Sequence, residues 1–237
     1  MRLIDTTTGR FTEFSDSSRA PLYAILSHTW AQKPYREQTY EDMVKIQEKF
    51  GLTVRKACEI ARRDGYRYIW IDSSCIDKTS SSELSEAINS MFNWYRDAQI
   101  CYAFLSDVPS DEDFRKSRWF KRSWTLQELI APRTVIFLSK DWSGLGTKES
   151  LADLVEEITY IDRHVLVHKR KLTEESVAER MRWASKREAT RVEDEAYSLL
   201  GIFGTTMTTL YGEGRHAFQR LQEEILQRTP DLTLFAW

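Results

Sequence analysis

The sequence predicts an α/β fold: a parallel β-sheet flanked by helices on both faces, followed by a C-terminal helical extension. Over residues 22–139, short continuous apolar runs alternate with amphipathic helical stretches. That is the pattern of strands buried on both faces and joined by crossover helices. Three of the four runs end in polar clusters, as strands of open α/β sheets do where their carboxyl ends face a ligand crevice. Beyond residue 142 the pattern is mostly of helical period.

The elements follow in order. Residues 1–20 hold the apolar pair Leu3 and Ile4 followed by Thr, Gly and Ser, the mark of a strand or hairpin at the domain edge. Residues 22–26, LYAIL, form the first buried strand and open into Ser27, His28, Thr29 and Trp30. A helix is expected from Tyr40 to Gly65, with Met43, Ile46, Phe50, Val54, Ala57, Cys58 and Ala61 on its apolar stripe. Asp64 and Gly65 provide its C-cap. The run YRYIWI at 66–71 is the second strand, ending in Asp72, Ser73, Ser74, Cys75, Ile76 and Asp77. Ser80 and Glu83 read as a capping box that starts the next helix, ICYAFL at 100–105 is the third strand, and VIFL at 135–138 is the fourth. In the extension, Thr190 and Glu193 read as another capping box, starting a helix that carries Val192, Ala196, Leu199, Leu200 and Phe203, and YGEG at 211–214 is a turn before the last amphipathic helix.

At 237 residues the chain is long enough to bury a large core. Its charged residues, 30% of the total, nearly balance to a net charge of -2. Without a basic excess, nucleic acids and anionic membranes are poor partners. Three scattered cysteines, Cys58, Cys75 and Cys101, make neither a disulfide scaffold nor a zinc site. The N-terminus lacks a signal peptide's apolar run and no stretch approaches a membrane span, so a soluble, cytoplasmic protein is expected.

Several chemistries are excluded by what is missing. No G-x-G-x-x-G follows a strand, and neither a P-loop nor a G-x-S-x-G elbow occurs. His164 and His168 stand four apart with no third ligand evident, so an exposed pair is expected rather than a metal site. Cys75 lies between Asp72 and Asp77, whose charges would raise rather than lower its pKa.

The stretch that carries a candidate site is 117–132, SRWFKRSWTLQELIAP. It reads as one helix beginning near Ser117 and stopped by Pro132, whose ring ends a helix. Glu128 lies four residues after Trp124, which puts an aromatic plate and a carboxylate on one helical face. That pairing can hold a planar ring and touch a sugar. The competing reading is ordinary: aromatics at helical spacing bury themselves in a core, and a helical glutamate is solvated.

Taken together these stretches resemble the fungal heterokaryon incompatibility (HET) domain. The resemblance rests on YAILSHTW, YIWIDSSCIDK, ELSEAINSMFNWYRDAQICYAFLSDV, WFKRSWTLQELIAP, EDEAYSLLGIF and YGEGRHAFQRLQEEI. It covers the chain from about Leu22 onward and implies one HET domain over residues 1–237, with an α/β core at 22–142 and a mostly helical extension at 143–237. The HET family is similar to TIR domains, which implies a TIR-like, flavodoxin-like sheet. TIR-type enzymes carry a helix of the form S-x-W-C-x-x-E-L whose glutamate cleaves NAD, and Trp124 and Glu128 keep its spacing. Thr125 stands at the cysteine position, Ser123 directly precedes the tryptophan, and the extension has no TIR counterpart.

The resemblance implies a cell-death effector of fungal self/non-self recognition. Glu128 would be catalytic and Trp124 would hold the nicotinamide ring. Ser27, His28 and Trp30 would line one wall of the site and Asp72, Ser73 and Asp77 the other. NAD is then substrate rather than cofactor, no metal is implied, and the site works in a homo-oligomer, with control coming from an upstream sensor protein. The alternatives are a non-catalytic oligomerising signalling module and, less favoured by the charge balance, a nucleic-acid hydrolase.

Overall fold

The structure is a computed structural model that describes residues 1–29, 39–45, 52–109 and 111–236. A seven-stranded sheet comprises β1 (Arg2–Asp5), β2 (Phe11–Glu13), β3 (Tyr23–His28), β4 (Tyr68–Ile71), β5 (Ile100–Phe104), β6 (Val135–Leu138) and β7 (Gly144–Thr147), in the order β2-β1-β4-β3-β5-β6-β7. The expected four strands are its centre: β4, β3, β5 and β6 are mutually parallel. The sheet as a whole is mixed, because β1, β2 and β7 pair antiparallel at its edges. The reason is connection length: β7 follows β6 after a short turn, and a parallel neighbour would need a crossover.

In chain order the central strands lie second, first, third, fourth, so winding reverses between β3 and β5. Helices cover both faces. Neighbouring residues of β5 show it, since Cys101 lies under the backbone of Glu128 while the Tyr102 hydroxyl donates to Asp64 at 2.7 Å, beyond the helix on the opposite face. That helix, α2 (Leu52–Arg63), buries Val54, Ala57, Cys58 and Ala61 as its spacing predicts. It follows α1 (Tyr40–Lys45). Ile46 and Phe50, assigned to the same helix in the sequence, lie outside the described residues. Gly65, at φ +89°, ends α2 in a Schellman turn: its amide bonds Arg62 and the Tyr66 amide bonds Ala61.

After β4 the chain makes the single turn α3 (Asp72–Cys75) and then α4 (Ser81–Asp97). Ser80 caps α4 by accepting from the Glu83 amide at 3.3 Å. The Glu83 carboxylate does not complete the box; it accepts from the Asp77 amide and from Arg2 of β1, both at 2.8 Å.

The expected single helix over 117–132 is two pieces: a 3-10 turn over Arg118–Lys121 and the short helix α5 (Thr125–Ile130). Tertiary pairing breaks it. The Ser123 amide donates to Glu188 O at 2.9 Å and the Glu188 amide to Lys121 O at 2.6 Å, so main-chain groups that would close helical turns bond the extension instead.

The extension holds α6 (Ala152–Thr159), α7 (Arg163–Leu166), α8 (Val177–Ala184), α9 (Asp194–Tyr197), α10 (Leu200–Phe203) and α11 (His216–Arg228). The helix expected from Thr190 is only the pair of single turns α9 and α10. Glu193 serves as no capping-box partner; its carboxylate accepts from the Gly212 and Gly214 amides at 2.8 and 3.1 Å. Two joints tie the extension to α4. Asn89 exchanges two 2.9 Å bonds with the backbone of Met207, and Gly201 packs so closely that a Cβ there would stand 2.1 Å from Phe92 Cβ. No helix among the described residues is long and apolar enough to cross a membrane.

Candidate functional site

A cavity of about 680 Å³ opens beyond the carboxyl ends of β3 and β4, within the usual range for small-ligand sites. Its location follows from topology, because polar loops collect where winding reverses. His28, Asp72, Trp124 and Glu128 line its inner wall. Ser27 stands one layer behind them, fully buried, and its hydroxyl donates to Glu128 Oε2. The Trp119 indole donates to the same Ser27 oxygen at 2.7 Å. A buried chain therefore runs from Trp119 through Ser27 to the Glu128 carboxylate.

Burial pushes the Glu128 carboxyl up to about 7; the Asp72 charge adds to the rise, while the Ser27 bond, Arg122 and His28 oppose it. Asp72 also stands 3.7 Å from His28 Nδ1 and 3.5 Å from Lys78 Nζ. Tyr95 and Cys101, buried beneath, are both raised, first by burial and then by the Glu128 charge. A carboxyl poised near neutrality at a cavity wall suits general acid–base work or stabilisation of a nearby cation.

The helix that carries Glu128 is fastened at both ends. At its start, the Thr125 hydroxyl donates to Trp119 O and accepts from Arg187 at 3.0 Å. Burial lowers the Arg187 guanidinium to about 9. At its end, buried Lys148 donates to Leu129 O at 3.0 Å and to Pro132 O, beside His168 Nε2 at 3.3 Å. Burial holds that ammonium down at about 7. A cation on the last carbonyls of a helix is the favourable arrangement.

The outer wall belongs to the extension. Glu188, Ala189, Thr190, Arg191, Asp194 and Tyr211 all face the cavity. The Tyr211 hydroxyl donates to Asp194 at 2.8 Å, and the Arg191 guanidinium lies 4.4 Å from the Tyr211 ring centre.

Of the residues singled out in the sequence, the structure thus brings Ser27, His28, Asp72, Trp124 and Glu128 together. Ser73 is buried and does not line the cavity, and Asp77 accepts from Thr79 in a local turn. Trp30 lies outside the described residues. The ordinary reading of the aromatics holds for Trp119 and Phe120, packed edge-on against each other and buried. It fails for half-buried Trp124 and for buried Glu128. Cys75 is inert, its thiol pushed up to about 12 by burial. His164 is exposed, and no metal-binding cluster occurs among the described residues. Arg187, Lys148 and the outer wall were missed; nothing in KREATR or GTKES marks those residues as neighbours of residue 128, since only the folded chain brings them there.

Fold and cavity define a doubly wound α/β protein with a buried carboxylate at the carboxyl edge of its sheet. Residues 23–115 match the family described as heterokaryon incompatibility protein (HET), and residues 216–237 match a domain of unknown function, DUF8212. The chain is 43% identical over 224 residues to vegetative incompatibility protein HET-E-1 of Podospora anserina, a match that covers 88% of this chain and 16% of that protein. It therefore carries a domain of the HET family and spans about a sixth of the length of the relative it matches. No solved structure matches it.

Proposed function

We propose that this chain is the effector module of a fungal incompatibility protein and that, when self-associated, it hydrolyses NAD at the nicotinamide–ribose bond to trigger cell death. The core at 22–142 carries the chemistry and the layer at 143–237 completes the cavity. The strand order, second-first-third-fourth, agrees with a flavodoxin-like and hence TIR-like sheet. The name of the relative supports the biological role. The reading of the chemistry rests on one observation: a buried carboxylate, Glu128, with an indole one turn away in the same cavity.

Nicotinamide departs with the bonding pair of the C–N bond, leaving oxocarbenium character on the ribose. Ionised Glu128, itself buried at the cavity wall, stabilises that charge. Trp124 supports the departing ring, and water adds to the anomeric carbon and releases its proton. The surroundings of Glu128 set its state: burial first and the Asp72 charge after it raise the carboxyl to about 7, and Ser27 bonds its Oε2.

The test is nicotinamide release from NAD by purified protein at rising concentration. Release by wild type that disappears in Glu128→Ala is the expected result. Silence of both at high protein concentration rejects the hydrolase and favours a non-catalytic, oligomerising signalling module.

A further inference from the structure

The segment R-W-F-K-R at 118–122 divides its side chains by chemistry. Residues three apart in a 3-10 turn eclipse one another. Trp119 and Phe120 go into the core, while Arg118, Lys121 and Arg122 line the cavity directly before Trp124. Arg118 is engaged by Asp107 at 3.3 Å and Lys78 by Asp72 at 3.5 Å. Among the described residues, Lys121 and Arg122 have no carboxylate in ion-pair range. Yet Arg122 is close enough for its charge to be felt at Glu128. Two uncommitted cations on a concave wall, beside an aromatic plate and a carboxylate, call for a ligand that carries its own negative charge next to a sugar.

We infer that the 118–122 turn is a diphosphate-binding wall, so that the site takes dinucleotides or ADP-ribose and rejects phosphate-free nucleosides. An internal diphosphate ester carries two negative charges, matching Lys121 and Arg122, and joins two nucleosides, matching a cavity that continues from Glu128 to the Tyr211 ring of the extension. The chain's overall charge balance hides this asymmetry: of the other carboxylates lining the cavity, Asp72 pairs with Lys78 and Asp194 accepts from Tyr211, while Glu188 stands outside ion-pair range of both cations. This inference names the ligand class of the cleavage site proposed above and rests on that reading for the identity of the site.

Binding is measured by calorimetry on Glu128→Gln protein, which does not turn over, with NAD, ADP-ribose and nicotinamide riboside as probes. ADP-ribose is expected to bind, and Lys121→Gln/Arg122→Gln to weaken it by about tenfold or more. Nicotinamide riboside should bind about tenfold or more weaker than NAD and be indifferent to the same double change. Arg122→Lys, which keeps the charge, should retain ADP-ribose affinity within a few-fold, and thermal melting verifies that each variant is folded. Unchanged ADP-ribose affinity in the folded double variant, or no ADP-ribose binding in its parent, overturns the diphosphate wall. The two readings fail separately. ADP-ribose binding that depends on Lys121 and Arg122 in a protein that releases no nicotinamide upholds the wall and sinks the hydrolase. Nicotinamide release with KM unaltered by the double change sinks the wall and upholds the hydrolase.

Discussion

The inner wall of the cavity, Asp72 and Glu128 backed by Ser27 and Trp119, stands at the ends of parallel strands and on the short helix α5. The outer wall, Glu188 to Arg191 with Asp194 and Tyr211, stands on loops and short turns of the extension. Trp119, Ser27 and Glu128 are buried and hydrogen-bonded one to the next, and burial raises the Glu128 carboxyl. The residues at 188–191 are mostly exposed and are held by main-chain pairing to 121–123. Chemistry that needs a perturbed acid belongs to the first environment, and affinity that tolerates solvent belongs to the second. A fold can therefore hold its reactive group rigidly while the partner layer varies.

If the walls divide the work in this way, the largest effect comes from the acid itself. Glu128→Gln should lower kcat by about 1000-fold with KM changed only a few-fold. Wild-type kcat/KM should fall tenfold per pH unit below about 7, because the protonated carboxyl offers no charge to the transition state. The same change should stabilise the fold. Glu128 is raised from 4.5 to about 7, so the native state holds more protons than the unfolded chain across that window and stability falls as pH rises through it. Above pH 7 the glutamine variant is expected to be more stable by up to about 3 kcal/mol, with the gain vanishing below pH 4.5, as read from urea unfolding at several pH values. A pH-independent difference would mean that the carboxyl is not held near neutrality.

Next comes the joint between core and extension. Gly201→Ala places a Cβ 2.1 Å from Phe92 Cβ, an atom fixed to the backbone of α4 that has no rotamer to move into. A loss of about 1–3 kcal/mol is expected in the urea midpoint, together with a raised KM as the outer wall shifts. Unaltered KM in the destabilised protein would uncouple that wall from binding.

Ser27→Ala removes the hydrogen bond that holds Glu128 down, so its pKa should rise and the acid limb of the pH profile should move to higher pH. A shift of about one unit costs about fivefold in rate at pH 7 and about tenfold at pH values well below it. An unmoved limb with a uniformly lower rate would make Ser27 merely structural. The smallest effect is expected at Tyr211→Phe, which deletes the hydroxyl bonded to Asp194 at 2.8 Å. KM should rise a few-fold, about 1 kcal/mol, with kcat unchanged; a fall in kcat would place chemistry on the outer wall as well.

Some of this was legible in the residues alone. The buried strands announced themselves as continuous apolar runs, the Ser80 cap and Gly65 stop as turn chemistry, and the meeting of Ser27 with Asp72 as polar ends of neighbouring parallel strands. Local preference was enough there because each signal acts within a few residues. The break in the 117–132 helix was not legible. A helical main chain and a main chain paired to Glu188 satisfy the same donors and acceptors, and only the arrival of a segment about 65 residues away decides between them.

What the sequence by itself determined is the alternating framework, and with it the edge of the sheet where a site could form, because periodicity and capping are properties of adjacent residues. Tertiary structure alone decided the state of that site. The neutral-range acid at Glu128, the cations at Lys121 and Arg122 left without carboxylate partners among the described residues, and the closing wall from the extension all depend on burial and on distances through space, which a residue's neighbours along the chain do not specify.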